Sequence, residues 1–224
     1  MSRIAILISG AGSNMQALIH ATQRGDIAAQ VALVLADRDA AGLEVAQSLN
    51  IPTRCVLASE SPDRETHDAA VLAALRDMGI EWVILAGYMR ILTASFVTEW
   101  AGRMLNIHPS LLPRHKGLHT HRRVLEAGDP EHGTTVHFVT PELDGGPPVL
   151  QARFAIQPHD DEVRLRRKVQ ACEHQIYPEA AGWLIDARLR WQDGISTLDG
   201  KALHAPVNRF FDEDFFAEQG IPTT

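Results

Sequence analysis

The chain contains 224 residues, of which 45% are hydrophobic and 22% are charged, and its formal net charge is −7. This length and composition are typical of a soluble globular protein with one large α/β domain or two small ones. The acidic balance disfavours a nucleic-acid-binding protein, which would more often carry a basic face. We therefore expect no nucleic-acid partner, while a small anionic ligand held at a local site stays compatible with the charge.

No targeting or membrane-spanning pattern stands out. The first apolar run breaks into glycines at Gly10, unlike a signal peptide, and no apolar run approaches the ~20 residues of a membrane span. Cys55 and Cys172 form neither a disulfide framework nor a metal-binding pattern. We expect a cytoplasmic protein with two reduced thiols and no membrane partner.

Short apolar runs alternate with helical patterns over the first half of the chain. The predicted strands are Arg3–Ile8, Val31–Ala36, Arg54–Leu57, Trp82–Gly87 and Arg103–Ile107. Between them, Ser61 and Pro62 resemble the start of a third helix, and Thr93 resembles the cap of a fourth. This alternation predicts an α/β fold, Rossmann-like, with a largely parallel twisted sheet and helices on both faces.

The pattern changes after Pro109. A short helix is predicted at Thr120–Ala127, followed by strands at Thr134–Val139 and Val149–Ile156. Because no helix lies between these two strands, we expect them to be antiparallel. The long helical pattern that follows is expected to be interrupted at Pro178.

The end of the chain shows no periodicity. We expect a single domain over residues 1–204 and a loosely ordered tail over residues 205–224, because no linker or composition shift divides the earlier residues.

The glycine-rich turn SGAGSN joins the first predicted strand to the first predicted helix. Glycine lets the backbone turn sharply, and a helix N-terminus offers free N–H groups to an anion, so the turn fits a phosphate. Two alternatives stay open. A dinucleotide would fit because Gly10–Gly12 begins the G-x-G-x-x-G fingerprint and Asp37 imitates the ribose-binding acid, although Met15 replaces the third glycine. The turn could also bind nothing.

The segment LNIHPSLLP ends a predicted strand with Asn106 and His108. Alternate residues of a strand share a face, so both side chains can point into one space at the ligand-binding edge of the sheet. Asp144, in the glycine-rich loop ELDGGP, could reach the same cleft, hold the imidazole and favour its charged form. Such a group could stabilise an oxyanion or move a proton. The alternative is a hydrogen-bonded histidine that only closes the strand.

Three of the 11 histidines, His115, His119 and His121, lie together in HKGLHTH. No carboxylate or cysteine stands at metal-ligand spacing with them, and His-x-His alone is a loose pattern. We expect a polar loop or the edge of a substrate site without a metal, and a metal site is the alternative.

Five motifs together resemble the folate-dependent formyltransferases. In chain order they are GAGSN at 10–14, AGYMRIL at 86–92, LNIHPSLLP at 105–113, GLHTH at 117–121 and ELDGGP at 142–147. The stretch from Gly117 to Gln151 is similar to the family that formylates glycinamide ribonucleotide. The resemblance extends over roughly residues 3–195, so it covers both halves of the predicted fold.

The resemblance implies three groups of site residues. The family's catalytic trio matches Asn106, His108 and Asp144. The implied ribonucleotide site, with the phosphate at the glycine turn, consists of Gly12, Ser13, Asn14, Gly87 and Glu173. The implied folate site consists of Arg64, Met89, Arg90, Ile91, Leu92, Val139 and Thr140. The departures from the family pattern, His115-Lys116 and Pro147-Pro148, are expected not to touch the trio.

The resemblance also implies the reaction. The enzyme would transfer a formyl group from the co-substrate 10-formyltetrahydrofolate to the amine of 5-phosphoribosylglycinamide (glycinamide ribonucleotide), a step of de novo purine biosynthesis. Asn106 and protonated His108 would stabilise the oxyanion, while Asp144 would hold His108 and assist proton transfer. Small-molecule substrates, no metal, and a monomer or homodimer are expected.

Three other functions are weighed against this one. A methionyl-tRNA formyltransferase would need an additional RNA-binding domain and a basic surface. A formyltetrahydrofolate deformylase would use water in place of the amine and typically carries an N-terminal regulatory domain. A nucleotide-binding module without catalysis would not need the complete trio.

Overall fold

The computed structural model describes residues 1–222, which form eleven strands and seven helices. The strands are β1 (Ser2–Ile8), β2 (Ala29–Ala36), β3 (Thr53–Cys55), β4 (Trp82–Leu85), β5 (Met104–His108), β6 (Glu131–Phe138), β7 (Pro148–Ala155), β8 (Leu189–Gln192), β9 (Ile195–Leu198), β10 (Lys201–Ala202) and β11 (Val207–Phe210). The helices are α1 (Ser13–Arg24), α2 (Ala41–Ser48), α3 (Arg64–Asp77), α4 (Ala94–Glu99), α5 (Thr120–Ala127), α6 (Glu162–Ile185) and α7 (Glu213–Glu218).

Eight strands form one sheet in the order β11-β7-β6-β5-β4-β1-β2-β3. The strands β1 to β5 pair in parallel, whereas β6 is antiparallel to both β5 and β7. The prediction of a largely parallel sheet with antiparallel strands in the C-terminal part is confirmed. The separate antiparallel sheet of β8, β9 and β10 was not expected from the sequence.

Hydrophobic layers cover both faces of this sheet. In β1, Ile4, Ile6 and Ile8 belong to the buried cluster shared with α1 and α6, whereas Ala5 and Leu7 belong to the cluster shared with α3 and α4. Alternate residues of a strand point to opposite faces, so a strand covered by helices on both sides is apolar at every position. The continuous apolar run of β1 has this origin.

The strand order creates the crevice in which the site lies. The strand β1 is flanked by β2 on one side and β4 on the other, so the chain reverses its direction of travel across the sheet at β1. Ligands of open α/β sheets bind outside the carboxyl ends of the strands at such a point. The hydroxyl of Tyr177 in α6 lies 2.7 Å from the carbonyl oxygen of Leu85 and 3.2 Å from that of Leu105, which ties α6 to the end of β4 and to β5.

The expected interruption at Pro178 is wrong, because α6 runs without a break from Glu162 to Ile185. A proline inside a helix costs about 3 kcal/mol, since it removes one backbone hydrogen bond and crowds the preceding turn. Buried residues on both sides of Pro178, among them Ile176, Tyr177 and Ala180, pack α6 against the sheet and offset this cost. Within residues 1–222, no helix is both long enough and apolar enough to cross a membrane.

The start of α3 also differs from the prediction. Asp63, and not Ser61, caps this helix, and its carboxylate accepts a hydrogen bond of 2.7 Å from the backbone N–H of Thr66. The Ser-Pro pair resembles a helix start. Aspartate is an equally good N-cap residue, however, and Asp63, two residues later, accepts the hydrogen bond from the first turn of the helix. The predicted cap of α4 is confirmed, because the Thr93 hydroxyl accepts a hydrogen bond from Phe96.

The tail differs from the expected loose order over its described part. The strand β11 pairs in parallel with β7 and becomes the edge of the main sheet, and Phe216 of α7 is fully buried. The pattern of this segment is too short to show periodicity, and its order comes from contacts with residues far away in the sequence. Residues 223 and 224 of the predicted tail lie outside the described residues.

A buried ion network joins the tail to α6. The ammonium of Lys168, which is fully buried, lies 2.8 Å from Asp160 and 2.7 Å from Glu213 of α7. Arg164 contacts the same two carboxylates at 2.6 Å and 3.2 Å. Burial raises the pKa of Asp160, but its hydrogen bonds, including those from Lys168 and Arg164, outweigh this effect and hold the pKa below its ordinary value.

This network predicts that the free energy of unfolding depends on Lys168 but not on its neighbour Arg167 in α6. Lys168→Met should lower the free energy of unfolding by about 3 kcal/mol, because Asp160 and Glu213 would then share a single cation in a buried place. Arg167→Met, at the adjacent exposed position, should change it by less than about 0.5 kcal/mol. Urea denaturation followed by circular dichroism measures both. Equal losses in the two variants would contradict the network.

Candidate active site

A cleft of about 680 Å³ opens at the carboxyl ends of β4 and β5. Its volume lies within the range of about 300–1,000 Å³ that is typical of small-molecule sites. The residues of the predicted trio, Asn106, His108 and Asp144, all line this cleft. The fold therefore brings Asp144, which is distant in the sequence, into the same space as Asn106 and His108.

The geometry of the trio centres on His108, the last residue of β5. Its Nδ1 lies 3.4 Å from Oδ2 of Asp144, an ion-pair distance, and its Nε2 lies 3.0 Å from the carbonyl oxygen of His115. Both ring nitrogens therefore face acceptors, an arrangement that a doubly protonated imidazolium satisfies with two N–H donors. The side chains of His108 and Asp144 are each only 7% exposed, so water screens their attraction weakly.

The segment 115–117 closes over the trio. Besides the contact between His115 and His108, the backbone N–H of Gly117 donates to Asp144 at 2.9 Å, and Lys116 forms a 2.8 Å ion pair with Glu142. The expectation that the departure at His115-Lys116 leaves the trio untouched is therefore wrong. The reason is that the contact runs through the backbone carbonyl, which a comparison of side-chain types does not show.

Glycines hold Asp144 in place by allowing a close approach. Asp144 itself has a left-handed backbone conformation with φ 49°. A Cβ atom at Gly146 would overlap the carbonyl oxygen of Phe138, so the loop can lie against the end of β6 only with glycine at that position. Gly146 thus fixes the loop that carries Asp144 against the end of β6.

His137 is a site residue that the sequence analysis missed. It lies opposite Asn106 in the β5–β6 pairing, and its Nε2 is 3.1 Å from the amide nitrogen of Asn106. Burial lowers the pKa of His137 to about 4, so the ring is neutral at pH 7. Its Nδ1 lies 2.8 Å from the carbonyl oxygen of Phe138 and must carry the proton, which leaves Nε2 to accept from Asn106. Only the strand register shows this pairing.

The glycine turn prepares the N-terminus of α1 for an anion. Gly12 occupies the N-cap position with φ 76°, and within the described chain no side chain caps the free N–H groups of this helix. Two polar contacts join the turn to α6: Gln170 donates to the Ser13 hydroxyl at 2.7 Å, and Asn14 donates to Glu173 at 2.8 Å. Asn14, Gln170 and Glu173 line the cleft, and Gly12 and Ser13, which are partly exposed, directly precede Asn14. Gln170 was not predicted.

Contacts of α2 disfavour the dinucleotide alternative. The backbone N–H of Gly42 donates to the carbonyl oxygen of Gly10 at 3.1 Å, so the N-terminus of α2 rests on the glycine turn. A Cβ atom at Gly42 would already lie 2.8 Å from that oxygen. Asp37 is buried and forms an ion pair of 2.8 Å with Arg38. The turn is therefore packed against α2, and the acid that would contact a ribose is already paired with Arg38.

Glu173 joins the glycine turn to the end of β5. Its carboxylate accepts from Asn14 at 2.8 Å and from the Thr134 hydroxyl at 3.3 Å, and that hydroxyl also lies 2.9 Å from the carbonyl oxygen of His108. Burial raises the pKa of Glu173 to about 7, against the opposing effect of these two hydrogen bonds. A buried carboxyl with this pKa can accept or donate a hydrogen bond near neutral pH.

An apolar loop forms the opposite wall of the cleft. The predicted folate residues that line the cleft are Met89, Arg90, Ile91, Leu92, Val139 and Thr140, and Gly87 lies beside them. Met89 is 58% exposed and Ile91 is 52% exposed, which is unusual for large apolar side chains and suits a ligand-covered surface. Arg64 is an exception to the prediction, because it is exposed at the first residue of α3 and does not line the cleft.

The three clustered histidines have separate contacts. His115 pairs with Asp129 at 2.8 Å, His119 precedes α5, and Nδ1 of His121 lies 2.9 Å from Nε2 of His132. Burial lowers the pKa of His121 to about 4, and the pKa of His132 to about 3. Within residues 1–222, no group of three or more potential ligands is arranged to hold a metal ion.

Comparison with known proteins agrees with this architecture. The family model of formyl transferases matches residues 2–181. The chain is 47% identical over 201 residues to the phosphoribosylglycinamide formyltransferase of Escherichia coli (strain K12), which covers 89% of this chain and 95% of the relative. The corresponding enzyme of Haemophilus influenzae is 46% identical over 204 residues, covering 91% of this chain and 96% of the relative.

A solved structure shows the same fold. The phosphoribosylglycinamide formyltransferase of Coxiella burnetii superposes with a TM-score of 0.89 at 42% identity, covering 92% of this chain and 98% of that one. The family resemblance inferred from five sequence motifs is thus confirmed over most of both chains. The chain belongs to the formyl transferase family and, within it, to the phosphoribosylglycinamide formyltransferases.

Proposed function

We propose that this enzyme transfers a formyl group from 10-formyltetrahydrofolate to the amine of 5-phosphoribosylglycinamide, as a step of de novo purine biosynthesis. The observation that carries the proposal is the meeting of Asn106, His108 and Asp144 in one cleft, between an uncapped helix N-terminus and an apolar loop. One wall suits a phosphorylated substrate and the other suits a flat heterocycle, so the two reactants would meet at the trio.

The ribonucleotide occupies the glycine-turn side in this proposal. The free N–H groups at Gly12, Ser13 and Asn14 bind the phosphate, since a helix N-terminus combines donors with a positive dipole end. Glu173 accepts a hydrogen bond from a ribose hydroxyl and Gly87 lines the passage between the phosphate and the amine. Gln170 fixes Ser13 and thereby the shape of the turn.

The folate occupies the side formed by Met89, Arg90, Ile91 and Leu92, with Val139 and Thr140 at its far edge. Exposed apolar side chains bury a pterin ring at low desolvation cost, while backbone groups of the same loop supply the few polar contacts that orient it. Arg64, the remaining residue of the implied folate site, lies exposed at the start of α3 and does not line the cleft.

The trio acts on the tetrahedral intermediate. The neutral amine attacks the formyl carbon, a new C–N bond forms, the bond to N10 breaks, and the proton lost by the amine passes to N10. Asn106, whose amide is held by His137, offers its remaining N–H to the oxyanion. His108 offers its Nε2–H by exchanging the His115 carbonyl for the oxyanion, while Asp144 keeps contact with Nδ1 and positions the water that relays the proton.

One chain, within residues 1–204, contains the complete site in this proposal. Residues 1–204 carry the reaction, because the described residues that line the cleft lie between Asn14 and Glu173, and β11 and α7 stabilise the edge of the sheet. The substrates are small molecules, and neither a metal ion nor a nucleic acid takes part. A cytoplasmic monomer or homodimer is sufficient, because one chain contains the trio and both walls of the cleft.

The first experiment separates transfer from hydrolysis. With 10-formyltetrahydrofolate, release of tetrahydrofolate should depend on added glycinamide ribonucleotide, and formylated ribonucleotide should appear in equal amount by mass spectrometry. Release at the same rate in buffer alone would identify a deformylase and contradict the proposed function. Absence of turnover under both conditions would indicate a binding protein.

A double-mutant cycle tests the pairing of His108 with Asp144. Asp144→Asn and His108→Ala should each slow single turnover by about 10²–10³-fold, because each removes support of the oxyanion. The double variant should be far less impaired than the product of the two losses, since the two groups act as a unit. Asp193→Asn is a matched control, because Asp193 has a similar left-handed φ of 52° in an exposed turn. Multiplicative losses would contradict the pairing.

The raised pKa of Glu173 predicts a dependence of stability on pH. The folded protein holds this proton up to about pH 7, whereas the ordinary pKa is 4.5, so the free energy of unfolding should fall as the pH rises between these values. Glu173→Gln should remove this fall, which amounts to about 3 kcal/mol at most. Glu126→Gln, at an exposed position of α5, is the control. Parallel pH curves for wild type and Glu173→Gln would contradict the assignment.

A further inference from the structure

The loop 88–92, which lines the proposed folate side of the cleft, is attached to the protein at both ends by buried polar groups. At its start, the backbone N–H of Met89 donates to the hydroxyl of Ser9 at 2.9 Å. Ser9 directly follows β1 and is 9% exposed.

Asp37, which directly follows β2, is the charged group near Ser9. Burial raises the pKa of Asp37, but its contacts, above all the 2.8 Å ion pair with Arg38, outweigh this effect, so its pKa is below the ordinary value. The loop itself is held at this end by the contact between the Ser9 hydroxyl and the backbone N–H of Met89.

At the other end of the loop, Asp68 of α3 holds Thr93. The carboxylate of Asp68 accepts a hydrogen bond of 2.7 Å from the backbone N–H of Thr93, which is the cap of α4. Asp68 is 3% exposed and lies beside His67, whose Nε2 is 3.0 Å from the carbonyl oxygen of Val56. Hydrogen bonds to a buried carboxylate are about twice as strong as neutral ones, so this contact is a firm attachment.

We propose that Ser9 and Asp68 are positioning residues for the folate co-substrate, because they fix both ends of a loop whose exposed side chains form one wall of the cleft. The residues between the two attachments belong to no helix or strand. A loop held in its binding conformation loses less entropy when the ligand binds, and this raises affinity without any contact to the reacting atoms. The choice of folate as the ligand rests on the proposed function.

The main variants remove the acceptors. Asp68→Ala should raise the KM for 10-formyltetrahydrofolate about tenfold, which corresponds to about 1.4 kcal/mol. The KM for glycinamide ribonucleotide and kcat should change by less than about twofold, because neither the glycine turn nor the trio contacts Asp68. Ser9→Ala should likewise raise the KM for 10-formyltetrahydrofolate, and the unchanged KM for glycinamide ribonucleotide is required of Asp68→Ala alone, because Ser9 begins the glycine turn. Asp68→Asn retains one carboxamide oxygen as acceptor and should restore a KM near that of the wild type.

Asp63→Ala is the matched control. Asp63 lies in the same helix region and accepts a backbone N–H, that of Thr66, at the same distance of 2.7 Å, but it does not contact the loop 88–92. The Asp63→Ala substitution should reduce the stability of α3 without changing the KM for 10-formyltetrahydrofolate. A folate KM raised equally in Asp63→Ala and Asp68→Ala would show that loss of helix stability is responsible, and it would overturn the proposal.

A measurement without turnover separates this proposal from the proposed function. In the protein alone, amide hydrogen exchange of Thr93 should accelerate about tenfold or more in Asp68→Ala, and that of Met89 should accelerate in Ser9→Ala. The Kd of tetrahydrofolate, measured by titration calorimetry, should rise in both variants. Faster exchange with an unchanged Kd would overturn the positioning role, whereas normal folate binding without formyl transfer would contradict only the proposed function.

Discussion

The antiparallel pairing of β6 with β5 is the interaction on which the site depends. It places His137 opposite Asn106, so a neutral imidazole holds the amide, and it ends at Phe138, from which the next loop returns across the cleft with Asp144. Thr134 of the same strand connects the carbonyl oxygen of His108 with Glu173. A shift of one residue in this register would turn every one of these side chains to the other face.

Burial and hydrogen bonding together set the protonation state of four polar groups. His137 is neutral because a charged ring in that place would be poorly solvated, and Glu173 keeps its proton to about pH 7 for the same reason. Asp37 and Asp160 are carboxylates because cations or hydroxyl donors face them. His137 and Glu173 line the cleft, and there burial decides the charge state, whereas at Asp37 and Asp160 the hydrogen bonds and ion pairs outweigh burial.

Long-range contacts outweigh several local patterns. Pro178 does not end α6, because Tyr177 and its buried neighbours pack against β4 and β5 more favourably than the proline disfavours the helix. The tail has no period of its own, yet β11 and α7 are ordered by β7 and by Lys168. In both cases the deciding partner lies far away in the sequence, where a local pattern carries no information about it.

The sequence by itself determined the alternation of strands and helices, the parallel sheet with its antiparallel end, the glycine turn and the candidate trio, because periodicity and short motifs are local properties. Only the tertiary structure decided that His137 supports Asn106, that the His115 backbone reaches His108, that Arg64 lies outside the cleft and that Ser9 holds Met89. These facts depend on strand register, on backbone contacts and on the packing of distant elements. All three join residues that are far apart in the sequence and meet only in the folded chain.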